Sequence, residues 1–175
     1  MAIIVEDGTN VPNANSFISV TYLKDYASAR NITLSDDDKK LEAALILAMD
    51  KLDTYRSKFA GKKRAGFPLH WPRDNAWVDG EEYPNDEIPY ELKKAQAILA
   101  TAVDGGVSLF TNTTADTQTL KREKIDVLEF EYAVPEGSDV GVVYQPIIVE
   151  ATSLLASLMG NSGFNDSVNS WVVRA

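Results

Sequence analysis

The sequence predicts a mainly α-helical domain, bundle-like with four helices, a small β element, a long ordered loop rich in proline and aromatics, and an extended C-terminal arm. Three observations predict it. Four segments repeat apolar residues at spacings of three and four, the signature of one buried helical face. The stretch from Gly61 to Gln96 holds Pro68, Pro72, Pro84 and Pro89, four of the seven prolines, with Trp71, Trp77 and the single histidine, His70. Proline removes backbone donors, so most of that stretch is neither helix nor central strand, while its aromatic surface argues for order. A polar linker after Gly160 ends in Trp171, Val172 and Val173. Residues 1–160 therefore read as one helical domain and residues 161–175 as an arm.

The first helix is predicted to start at the N-cap Ser19 and run through SVTYLKDYASAR, burying Val20, Leu23, Ala27 and Tyr26. The second takes Ser35 as N-cap, with Asp36, Asp37 and Asp38 at the positive end of the helix dipole. Leu41, Leu45, Ala48, Leu52, Tyr55 and Phe59 form its stripe, and Leu47 and Met49 broaden it. The third begins near Pro89, carries Leu92, Ala95, Leu99 and Ala102, and stops at Gly105-Gly106. The fourth begins near Pro146, with Ile147, Ala151, Leu154 and Leu158 on one face, Ile148 and Leu155 beside it, and Gly160 as its stop. Between the last two, Lys121–Ala133 reads as a strand with a bulge near Leu128. A lone strand cannot satisfy its own backbone, so it needs a partner: Ile3–Glu6 or a strand from another copy.

Composition narrows the class. At 45% hydrophobic and 25% charged, the chain has the make-up of a soluble globular domain. It has no cysteine, which excludes disulfides, thiolate metal sites and thiol catalysis. The N-terminus has no basic segment or long apolar run, so no signal peptide is expected. No apolar stretch is long enough to span a membrane.

Catalytic signatures are missing: there is no GxGxxG, P-loop, GxSxG or HExxH pattern. His70 lies between prolines and beside Trp71, a setting that suits packing better than ligation or base catalysis. Asp36–Asp38 point in different directions around a helix, so they are no paired-acid site. Asp50 with Asp53, and Glu81, Glu82, Asp86 and Glu87, carry ligands that a divalent cation accepts. They read more simply as solvated acidic surface. An enzyme is not expected, and neither is a metal or other cofactor.

The net charge of −9 weighs against nucleic-acid binding. Lys62, Lys63 and Arg64, with Arg73, Trp71 and Trp77 nearby, are the exception, since cations interleaved with aromatics hold single strands. The plain alternative is a solvated cluster complementing a helix C-terminus.

Four segments carry a resemblance. They are VEDGTNVPNANSFIS over residues 5–19, Trp71-Pro72-Arg73, Ile88-Pro89 with Leu92-Lys93 and Ala95-Gln96, and Leu120-Lys121 with Glu123-Lys124-Ile125. In that order they resemble a tailed-phage protein family often labelled DnaT-like, after a replication accessory protein that binds single-stranded DNA. The resemblance reaches about Leu158. It is also similar to neck proteins of siphophages, which implies a head–tail connector or adaptor forming a ring beneath the portal around the DNA channel. On that implication residues 1–160 are the helical adaptor domain. The partners are the portal protein, adjacent copies in a dodecameric ring and the next neck or tail-completion protein. Duplex DNA passes through without specific binding, and no membrane is involved. The place is the virion neck, after assembly in the host cytoplasm. A connector needs contact surfaces. Phe164, Trp171, Val172 and Val173 are candidates for a portal-docking arm. Phe67, His70, Trp71, Arg73, Trp77 and Tyr83 are candidates for an inter-subunit loop. The label implies the alternative: a DnaT-like single-stranded-DNA-binding replication accessory protein that uses Lys62, Lys63 and Arg64.

Overall fold

The computed structural model describes residues 2–110, 122–125, 128–131 and 147–160, with side chains of the strands at 122–131 and of Ile147 outside the description. The helices are α1 (Val20–Ser28), α2 (Asp38–Asp53), α3 (Tyr90–Asp104) and α4 (Val149–Leu155), followed by a 3-10 turn at Ala156–Leu158. The strands are β1 (Lys62–Lys63), β2 (Arg73–Asp74), β3 (Trp77–Val78), β4 (Glu81–Glu82), β5 (Arg122–Ile125), β6 (Leu128–Glu131) and β7 (Ile147–Ile148). β1 pairs with β2, β3 with β4, and β5, β6 and β7 form a three-stranded sheet, all antiparallel.

This is not a four-helix bundle. The helices are short, with nine residues in α1 and seven in α4, and small antiparallel strand pairs share the fold. The physical reason lies in α3. From Ala95 to Ala102 every residue is buried, so the middle of the helix has no solvent face. A helix buried all round is a core element that its neighbours enclose. α1, α2 and α4 pack on it, and non-helical chain contributes the rest of the core through Ala14, Phe17, Ile18, Phe59, Leu69 and Trp71.

Local chemistry sets the boundaries. Ser19 caps α1, its hydroxyl accepting from the Tyr22 N–H, and Leu23 and Ala27 are buried as expected. Ser35 does not cap α2. Its N–H donates to Asp104 and its hydroxyl accepts from the Asp37 N–H, which leaves Asp37 to cap by accepting from Lys39. The helix ends at Asp53, sooner than its stripe implies. Tyr55 lies in the turns that follow, and Phe59 forms an antiparallel bridge with Met159. Leu47 is exposed, whereas Met49 is buried. Ile147 and Ile148 pair with Glu131 and Phe130 as β7, so α4 starts at Val149. The single bulged strand is instead two strands, and its partners are local: Ile125 faces Leu128, and β6 then pairs with β7. Ile3–Glu6 is not its partner, because Val5 bridges to Ser16.

The N-terminal motif is built as a docking loop. Glu6, fully buried, accepts from the N–H groups of Gly8, Asn10 and Val11. Gly8 has φ 110°, and a Cβ there would fall 1.8 Å from the Asp86 carbonyl oxygen. Only glycine allows that approach. Gln96 of α3, also fully buried, accepts from the Phe17 N–H and donates to Ser16 Oγ and the Leu45 carbonyl. The first and third resemblance motifs therefore meet in one hydrogen-bond network.

Candidate nucleic-acid interface

Arg56 to Arg64 reads RSKFAGKKR, five cations in nine residues without an Asp or Glu. The strip starts just past the end of α2 and passes through β1. Its middle is pinned from beneath. Phe59 bridges to Met159, the Ala60 N–H donates to the Leu158 carbonyl, and the Gly160 N–H donates to the Lys58 carbonyl. Gly61 at φ 71° lies against β2 and the residues after it, and a Cβ would stand 2.6 Å from the Asp74 carbonyl oxygen. This packing brings the strip against Ala76, the neighbour of Trp77. Arg56, Lys58, Lys62 and Lys63 are exposed.

Arg64 is diverted. It donates to the Asn85 carbonyl, lies 3.5 Å from Asp74 and stacks 4.8 Å from the Phe67 ring centre.

The aromatics divide sharply. Trp71 is fully buried, edge-on to Phe59 at 6.2 Å and to Tyr83 at 5.8 Å. Its indole N–H has no partner among the described residues, so it serves as apolar filling. Arg73 is also buried. Its guanidinium donates to the carbonyls of Phe59, Ala60, Gly61 and His70, gathering the strip's backbone beneath the surface. Burial lowers its pKa. Phe67 is buried, and Tyr83 and His70 are half-buried. Trp77 alone of the six loop candidates presents most of its surface, 60%. Trp71 and Arg73 are therefore withdrawn from the surface, while Lys62, Lys63 and Trp77 stand on it. Residues 161–175, with Phe164, Trp171, Val172 and Val173, lie outside the described residues.

Arg56 and Lys58 belong to the strip but alternate with the stripe residues Tyr55 and Phe59, so in the sequence they read as the tail of α2 rather than as a surface run. The charge count alone is the signal that finds them. The acidic loop is close by as well: Glu81 and Glu82 are exposed, and Glu82 is paired with Trp77 across the β3–β4 ladder.

Lys51 is buried in α2. It donates to the Leu109 carbonyl at 3.4 Å and lies 5.8 Å from the Phe110 ring centre, and burial lowers its pKa. Among the described residues no group of His, Asp and Glu is arranged to hold a metal ion, and no helix is long and apolar enough to cross a membrane.

Comparison with curated proteins and with solved structures gives no match. A family model does match, over residues 1–175, and its description is "Putative DnaT-like ssDNA binding protein". The docking loop, the Trp71 core and α3, which carry three of the four motifs, thus sit within a match that covers the whole chain, and the chain belongs to this DnaT-like family.

Proposed function

We propose that this chain binds single-stranded DNA as a non-enzymatic accessory protein of replication. In this reading Arg56, Lys58, Lys62 and Lys63 hold the phosphate backbone, and Trp77 stacks on a base. The observation that carries it is the cationic strip, five cations, four of them exposed, and no carboxylate in nine residues of a chain whose net charge is −9. Exposed charges farther apart than a Debye length, about 8 Å at physiological ionic strength, are largely screened, so a local strip governs contact more than the total does. The family description supports the same reading. Burial of Trp71 passes the stacking role to Trp77.

Fluorescence anisotropy with a labelled oligothymidylate tests it. Binding should weaken steeply from about 50 to about 200 mM salt, with a slope of about −3 for four neutralised phosphates. Replacing Arg56, Lys62 and Lys63 with alanine should flatten that slope. Absence of salt-sensitive binding at low salt would defeat the reading.

A second reading, a ring-forming head–tail connector, is favoured by the exposure of Leu47, Tyr90, Phe110 and Val149, large apolar residues that a neighbouring subunit would cover. Electron microscopy of gold-labelled protein decides it: label in the virion neck supports the connector, and its absence there removes it.

A further inference from the structure

At the end of α2 the cationic strip meets a carboxylate. Asp53 is the last residue of the helix, with Asp50 one turn before it. His70 Nε2 stands 3.1 Å from Asp53 Oδ1, and the two side chains are 14% and 45% exposed. Arg56, just after the helix, and Lys63 of β1 act on both groups, while Arg73 of β2 acts on His70. Asp53 is poorly placed for a carboxylate. It sits at the negative end of a helix dipole, and Asp50 adds a like charge. A phosphate would meet the same three neighbours, His70, Lys63 and Arg56, with Asp53 in the way.

We propose that His70, Lys63 and Arg56 form a phosphate subsite of the strip, and that the Asp53 carboxylate fills it in the free protein. The proposal rests on reading the strip as a DNA contact, and it names a stopper within it. The groups facing the subsite are Asp50, Asp53 and Arg56 from α2 and its end, Lys63 from β1, and Arg73 from β2. The two carboxylates offset the neighbouring cations while His70 is neutral. Acid changes that balance. Burial holds His70 below its ordinary range and raises Asp53 above its own, against their mutual attraction. Falling pH adds a positive charge at His70 and removes a negative one at Asp53, so the subsite opens to anions.

The test uses the whole chain and two probes. With an oligothymidylate at about pH 7.5, Asp53→Asn should bind about fivefold more tightly than the wild type, the order expected for one charge at ~4 Å in water-like surroundings. Asp53→Ser, which also lacks the charge, should behave alike. Wild-type affinity should rise toward about pH 5.5, below the ordinary histidine value. His70→Gln should lose most of that rise. Because His70 is the only histidine, its imidazole gives one NMR signal to follow with inorganic pyrophosphate. Pyrophosphate should shift that signal in Asp53→Asn more than in the wild type. If the neutral variants bind DNA no more tightly than the wild type, or if pyrophosphate leaves the His70 signal unmoved in both, the subsite is wrong. If no protein binds DNA but pyrophosphate moves the signal in Asp53→Asn, the subsite stands and the DNA reading fails.

Discussion

Trp71 and Trp77 are six residues apart, and their surroundings assign them opposite work. Trp71 has no exposed surface and fills the space between Phe59 and Tyr83. Trp71→Ala should cost about 3–5 kcal/mol of folding stability, the range for emptying a buried aromatic site. Trp77→Ala should change stability by less than about 0.5 kcal/mol, as at an exposed surface position. It should instead weaken oligothymidylate binding by about 1–3 kcal/mol, the usual worth of one base stacked on an aromatic ring. Urea unfolding and anisotropy on the same two variants separate the roles. Glu6 offers a comparable check on the N-terminal loop. Glu6→Ala leaves the Gly8, Asn10 and Val11 N–H groups without their acceptor. The expected loss is about 3 kcal/mol, since three N–H groups, the buried one of Gly8 among them, lose their acceptor. A loss below about 1 kcal/mol would mean that water enters and replaces the carboxylate. His70 has a pH signature of its own. Its folded pKa is depressed, chiefly by burial, so the unfolded chain takes up the proton first as pH falls. Its contribution to stability is present above about pH 6.5 and is lost as pH falls through the depressed folded value. Asp53, raised by burial, contributes in the opposite sense, with stability gained as pH falls through its folded value toward the ordinary carboxylate value. Thermal unfolding between about pH 7.5 and pH 5 should show a decline that His70→Gln reduces.

Among the elements, the N-terminal loop and α3 explain why the resemblance motifs are spaced as they are. Glu6, Ser16 and Gln96 lie far apart in sequence yet serve one junction: Glu6 closes the loop, and Ser16 and Gln96 lock it to α3. Gly8 lets this loop dock on Asp86. Gly8→Ala should cost more than about 2 kcal/mol, combining strain at a positive φ with the clash against a backbone carbonyl. Chemical denaturation would show it, and a neutral result would mean that the 85–87 segment yields. The helical stripes were legible in the sequence because each helix buries a face at regular spacing, and Leu23, Leu41, Leu45, Leu52, Leu92 and Leu99 are all buried. Helix ends were less legible. Asp37 displaced Ser35 as cap because the Ser35 hydroxyl accepts from the Asp37 N–H while its own N–H is held by Asp104, a residue on another helix. Ile147 and Ile148 suit a helix or a strand equally by periodicity, and pairing with β6 settled the matter.

At the scale of the whole molecule, the fold is organised around α3. Its backbone amides from Ala95 to Ala102 should be among the slowest to exchange with solvent, since core helices open only when most of the structure opens. Hydrogen exchange followed by mass spectrometry checks this. Protection weaker there than in α1 would displace α3 from the centre. By itself the sequence determined the helical segments, the aromatic loop as ordered chain and the cationic run at Lys62–Arg64, because these follow from local spacing, backbone chemistry and charge. It left the aromatic loop's surface undecided. Tertiary packing drew Trp71 and Arg73 inward and left Lys62, Lys63 and Trp77 outside. It also broke the bundle into short helices and strand pairs around one enclosed helix. The physical reason is that periodicity reports which residues of a segment share a face, while burial depends on what the rest of the chain brings to that face.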